Sequence, residues 1–178
     1  LTGHLVLATL HTNDAASTLP RMAEMGVEPF LLGATAKMVL AQRLIRTICS
    51  KCKVEYKVKM DQINEIAKKQ SFTKDLEQII EYLIKVKPEL EGKVVDNTIT
   101  LYKGEGCGTC GNTGYKGRLS IAEVMEVSDG IRKILLENGS SKDIEDQAIK
   151  EGVITMFQDG LEKVIAGKTT LEEILRVM

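Results

Sequence analysis

The sequence predicts an α/β protein with a cysteine-stapled insertion and a helical C-terminal part, and three observations carry that expectation. The stretch "LVLATL", Leu5 to Leu10, is an apolar, β-rich run of the kind that forms strands buried on both faces of a parallel sheet. Two C-x-x-C pairs, Cys49/Cys52 and Cys107/Cys110, bracket a stretch of different character. From Asp129 onward, four successive segments carry apolar stripes at helical spacing, each marked by a glycine or a capping residue.

Composition bounds the rest. The 178 residues suffice for one sizeable core or two small ones, and 43% hydrophobic with 28% charged is ordinary globular composition. A net charge of -1 gives no global pull toward nucleic acid or membrane. With no apolar run of about 18 residues and no N-terminal signal pattern, the expectation is a chain that neither spans a bilayer nor is exported.

Taken in order, the Leu5–Leu10 strand needs flanking strands, and only two other strong candidates follow: "AKMVLAQRLIRTI" (Ala36 to Ile48) and "GRLSIAEVMEV" (Gly117 to Val127). This shortage of partners leads to the expectation that the chain is the C-terminal part of a larger protein, cut inside an α/β domain. Between the cysteine pairs, "DQINEIAKKQ" (Asp61 to Gln70) reads as a short amphipathic helix. "TKDLEQIIEYLIKVKPEL" (Thr73 to Leu90) reads as a stronger one, with Leu76, Ile79, Ile80, Leu83 and Ile84 on one face, Thr73 as N-cap and Pro88 ending it. Such a stripe packs on a local core more often than on a partner. The flank Arg46 to Lys59 holds five Lys/Arg against one Glu, a local net of +4, which reads as a solvated face or as a contact for acidic lipid or a partner. The C-terminal helices are expected over Asp129–Gly139, Ser140–Gly152, Met156–Gly167 and Thr170–Val177, as a small bundle.

The four cysteines are the strongest chemical signal. Two C-x-x-C knuckles converge on a tetrahedral Zn²⁺ through four thiolates, a closed structural site with no open position for catalysis. The 54 residues between the pairs exceed the usual zinc-ribbon spacing, and glycines in "GCGTCGNTGYKG" permit the tight turns that aim N–H groups at sulfur. Disulfides and a thioredoxin-like redox pair are the alternatives. Zinc is favoured, because a chain without an export signal points to a reducing compartment.

"AGKTTLEEI" (Ala166 to Ile174) contains the Gly-Lys-Thr that ends a phosphate-binding loop, but the first glycine of G-x-x-x-x-G-K-[ST] would fall on Glu162 and no strand leads in. A helix stop at Gly167 and a capping box from Thr170 to Glu173 explain the stretch better. The two histidines, His4 and His11, bracket the Leu5–Leu10 run, about 23 Å apart if that strand is continuous. Ligands in open α/β sheets sit beyond the carboxyl ends of strands, so His11 is the one placed to meet a ligand, while His4 would be structural or face a neighbour.

"TGHLVLATLHTNDA" (Thr2 to Ala15) resembles the histidine box of the secretion ATPase superfamily, the hexameric motors of type II secretion and type IV pili. "AQRLIRTICSKC", "CGTCGNTGYKGRLSIAEV" and "DGLEKVIAGKTTLEEILRV" continue the resemblance in the family's order. It covers nearly the whole chain apart from roughly Met60 to Thr98. The two cysteine pairs resemble the secretion and pilus-assembly members, since retraction motors lack that zinc subdomain.

The resemblance implies ATP hydrolysis in a RecA-like P-loop core, using ATP and Mg²⁺, coupled to moving pilin-like subunits out of the inner membrane. It implies residues 1–48 as part of that core, 49–116 as a zinc subdomain with a helical insertion, and 117–178 as the last core strand with a C-terminal helical subdomain. His4 and His11 carry over as the histidine box, with His11 as γ-phosphate sensor, and Cys49, Cys52, Cys107 and Cys110 as zinc ligands. Arg43, Arg46 and Arg118 match arginines in recurring motifs, for which nucleotide contact, a neighbouring protomer and a structural ion pair all stand open. Implied partners are other copies in a homo-hexamer and an inner-membrane platform protein. The implied location is cytoplasmic, peripheral to the inner membrane, with direct membrane contact open and no nucleic acid expected.

The family's Walker A loop, acidic box and Walker B carboxylate do not occur in the sequence, so the 178 residues are expected to be inactive alone. The spacer between knuckles also exceeds the family's usual length. A zinc-stapled module that binds protein or nucleic acid without catalysis is the alternative; it calls for aromatic residues interleaved with basic ones, whereas aromatics are 4% and Trp is absent.

Overall fold

The computed structural model describes residues 3–68, 75–90 and 92–178, and is a mixed α/β structure that divides into two compact units. The first unit is Leu1–Ala41 with Glu123–Ile154; the second is Gln42–Ala122 with Thr155–Met178. Two long strands, β1 (Met38–Ile48) and β5 (Tyr115–Glu126), pair with each other and run through both. Both lie where the sequence predicts strands.

The first unit is helical around the ends of these strands. It contains α1 (Thr18–Glu24), α2 (Pro29–Thr35), α5 (Asp129–Leu136) and α6 (Ser141–Lys150). Pro29 begins α2 where its missing N–H costs nothing. Ser128 caps α5 by accepting the Ile131 N–H, and Ser140 forms a reciprocal capping box with Asp143 on α6. The stripes these caps orient meet in one core of Ala15, Ala16, Leu19, Leu32, Val39, Met125, Val127, Ile131, Leu135, Ile144 and Ala148. Removing such side chains from water stabilises by about 25 cal/mol per Å².

The second unit holds the antiparallel sheet β2–β4–β3 (Lys53–Lys59, Thr98–Gly104, Val94–Val95) and α3 (Met60–Lys68), α4 (Leu76–Val86), α7 (Met156–Ile165) and α8 (Leu171–Val177). The stripe predicted for α4 is used internally: Leu76, Ile80 and Leu83 are buried, and α4 packs on α3 and α7. Its start differs from the sequence expectation. Asp75 is the N-cap, accepting the Glu77 and Gln78 N–H groups, and the Asn64 carboxamide oxygen accepts the Leu76 N–H. Thr73, the expected cap, lies outside the described residues, as does the Lys69–Gln70 end of the expected preceding helix. The four expected C-terminal helices form, but not as the one bundle expected: the apolar faces of α5 and α6 join the first unit's core, while α7 and α8 belong to the second unit.

The first expected strand does not form. Leu5–Leu10 is not a strand: residues 3–12 have no regular structure, and Leu5, Val6 and Leu7 are 86%, 78% and 87% exposed. A strand buried on both faces exists only through neighbours on its edges and layers on its faces, and no described strand pairs with this segment. Apolar run and β-propensity supply the tendency; the ladder supplies the strand.

Candidate functional site

The cysteines come together as expected. The first pair sits in the turn between β1 and β2, where the Cys52 N–H donates to the Cys49 carbonyl and the Cys49 N–H donates to the Gly114 carbonyl. The second pair lies in a short 3-10 turn between β4 and β5, whose Cys107 N–H donates to the Cys110 Sγ at 3.2 Å. The β4–β5 loop that carries the second pair closes on itself at its base, between Gly104 and Gly114. A Cβ on Gly104 or on Gly114 would run into the carbonyl of the other, and Gly114 has φ +76°, so glycine is required at both.

The four Sγ atoms lie within 4.8 Å of one another, with Cys49–Cys107 and Cys52–Cys110 at 3.9 Å and Cys107–Cys110 at 3.8 Å. A tetrahedron with metal–sulfur bonds of about 2.3 Å has edges of about 3.8 Å. All four cysteines are free, and these separations are far beyond a disulfide bond of about 2.05 Å. The thiols respond unequally to their surroundings. Burial pushes Cys52 up to about 12, whereas the Cys110 backbone N–H lowers Cys107. Burial also acts against ionising Cys110, but the Cys107 and Gly114 backbone N–H groups and neighbouring thiols outweigh it and bring Cys110 down to about 6. Four thiolates this close repel strongly, and a dication among them removes that cost. The residues therefore fit a bound metal ion, in a geometry compatible with zinc.

Next to this centre, Arg46 on β1 meets Glu173 on α8. Glu173 is 1% exposed and accepts from the Arg46 backbone N–H at 2.9 Å, from Arg46 Nε at 3.0 Å and Nη2 at 2.6 Å, and from Arg176 Nε at 2.9 Å and Nη2 at 2.8 Å. The Arg46 guanidinium also lies 4.3 Å from the Tyr115 ring centroid, and the Tyr115 hydroxyl bonds to Thr170 Oγ1 at 2.7 Å. The expected Thr170–Glu173 capping box is thus half made. Thr170 accepts the Glu173 N–H, but the Glu173 carboxylate turns to the arginines. Gly167 has φ +70°, as a helix stop requires, and the Ile48 N–H donates to the Lys168 carbonyl. The Gly-Lys-Thr run is occupied by these structural roles. Arg43 donates from Nη1 to the Val177 carbonyl, and Arg118 is exposed on β5.

His4 and His11 belong to the first unit and the cysteine cluster to the second. His4 and His11 are both exposed. Immediately after His11 the chain is tied down. Thr12 Oγ1 and Thr18 Oγ1 share a hydrogen bond of 2.9 Å, Asp14 Oδ1 accepts the Ser17 N–H at 2.8 Å, and Glu123 Oε1 on β5 accepts the Ala15 N–H at 2.6 Å. Sequence reading does not single out Glu123, whose partner Ala15 lies 108 residues away, and it gives Glu173 a capping role rather than the pairing with Arg46, 127 residues away.

A family model described as "Type II/IV secretion system protein" matches residues 1–176. Among similar proteins, the type IV pilus assembly ATPase PilB of Thermus thermophilus is 42% identical over 98% of this chain and 17% of its own length. PilB of Myxococcus xanthus is 38% identical over 98% of this chain and 27% of its own length. The type II secretion system protein E of Dickeya dadantii is 37% identical over 99% and 30%. The chain thus spans less than a third of these relatives. With sequence similarity running almost end to end and its tetracysteine cluster assembled, the chain belongs to the type II/IV secretion system protein family.

Proposed function

We propose that this chain is part of a hexameric ATPase motor that powers type II protein secretion or type IV pilus assembly. The observation that carries the reading is the match along essentially the whole chain to proteins named as pilus assembly ATPases and as a type II secretion protein. Residues 1–48 contribute to a RecA-like core, 49–116 form the zinc subdomain, and 117–178 supply the last core strand and the C-terminal helices. The motor docks on an inner-membrane platform protein from the cytoplasmic side.

In this reading the division of labour follows from the chemistry of each residue. Cys49, Cys52, Cys107 and Cys110 hold Zn²⁺ as a staple between two loops 54 residues apart in sequence. His11 senses the γ-phosphate, since an exposed imidazole can donate a hydrogen bond to an anion and report its loss; His4 completes the box. Bound Mg²⁺ neutralises charge developing on the transferred phosphoryl group. The cradle for the phosphates lies outside these 178 residues, so they hydrolyse no ATP by themselves. Arg46, committed to Glu173, acts as a structural cation rather than a nucleotide contact; Arg43 and Arg118 remain candidates for protomer or nucleotide contacts. The test is steady-state ATP hydrolysis by the full-length protein, which should proceed and depend on Mg²⁺; a Mg²⁺-replete, assembled protein without turnover would reject the reading.

A further inference from the structure

We propose that Glu123 is a positioning residue for the histidine box, gripping the chain where it leaves His11. The proposal rests on the reading of His11 given above. Along β5, residues 121, 123 and 125 point to one side, and Ile121 and Met125 on that side are 0% and 1% exposed. Glu123 thus occupies a register position that otherwise buries an apolar side chain. A carboxylate is costly there unless it is hydrogen-bonded.

It receives the backbone N–H of Ala15, itself 2% exposed, at 2.6 Å. Ala15 is the first residue of the buried turn after His11, and α1 starts at Thr18. The turn is closed locally by Asp14 accepting from Ser17 and by the Thr12–Thr18 hydroxyl pair. These local bonds set the turn's shape. Burial of Ala15, Ala16 and Leu19 in one core with Met125 and Val127 holds the turn against the strand, and the Ala15–Glu123 bond is a charge-assisted tie that adds direction to that non-directional packing. His11 itself is exposed with no regular element around it, so its position is inherited from the turn that follows. A carboxylate at residue 123 therefore sets where the imidazole stands, without touching nucleotide.

Two variants test this in the full-length protein. Glu123→Ala removes the acceptor, and Glu123→Gln keeps a carbonyl oxygen at the same reach. Amide exchange over residues 12–18 should accelerate about tenfold or more in Glu123→Ala and less in Glu123→Gln. Exchange around Val127, whose N–H donates to the Lys37 carbonyl, should hold in both. The turnover number for ATP should fall in the same order with KM little changed, as for loss of positioning rather than of binding. Unchanged exchange over residues 12–18 in Glu123→Ala overturns the proposal, and so does unchanged turnover where His11→Ala lowers it. If His11→Ala leaves turnover intact, the sensor reading fails instead, and exchange alone then upholds or overturns the grip.

Discussion

Replacing Glu173 by glutamine should cost about 2–3 kcal/mol of stability at neutral pH. The residue is 1% exposed and receives five N–H donors from Arg46 and Arg176. Although burial alone would raise its pKa, the arginines and the Arg46 backbone N–H dominate and depress it from 4.5 to about 2. That shift is worth about 3 kcal/mol at about 1.4 kcal/mol per unit. Breaking a buried pair typically costs about 3–5 kcal/mol, but Arg46 and Arg176 are 46% and 57% exposed and can turn to water, which argues for the lower figure. Glutamine keeps the shape but removes the charge and turns an NH₂ group toward N–H donors. In urea, with a slope of about 2–3 kcal/mol per molar, the midpoint should drop by roughly 1 M. The pH dependence has a definite sign. A depressed carboxylate pKa stabilises fully above 4.5 and loses that contribution as pH falls toward about 2. The gap between wild type and Glu173→Gln should therefore close over that interval. A gap below about 0.5 kcal/mol at pH 7, or one that persists at pH 2, would refute the reasoning.

Two further outcomes follow from the same geometry. Purified protein should contain close to one zinc per chain, and Cys107→Ser should lower both metal content and thermal stability, because a three-thiolate remnant no longer closes the staple; full zinc retention would contradict a four-sulfur site. Gly167→Ala should destabilise by about 1–2 kcal/mol through its left-handed backbone, with added strain where the new methyl meets the Tyr102 ring at 2.5 Å. Its KM for ATP should stay unchanged in the full-length protein, and a large rise would reinstate the Gly-Lys-Thr run as a phosphate loop.

What the sequence makes legible here is what local rules decide. Caps at Ser128, Ser140, Thr155 and Thr170 follow from side chains reaching N–H groups three residues away. The cysteine cluster follows from two knuckles whose chemistry demands convergence. Long-range choices are another matter. Glu173 satisfies the pattern of a capping box, yet Arg46, 127 residues away, outcompetes the Thr170 N–H because a charged fork binds a carboxylate more strongly than one amide does. Glu123 looks like a polar position on a half-exposed strand until Ala15 is brought to it. Leu5–Leu10 has the composition of a buried strand, but composition supplies no ladder, and the run stands exposed.

The most direct test of the central claim is ATP turnover by the full-length protein with His11 replaced by alanine, measured beside its assembly state. A motor that reads the γ-phosphate through this imidazole should assemble normally and lose most of its turnover, by about 10²-fold or more for a group acting on the transferred phosphoryl charge. Normal assembly with unchanged turnover would contradict the account.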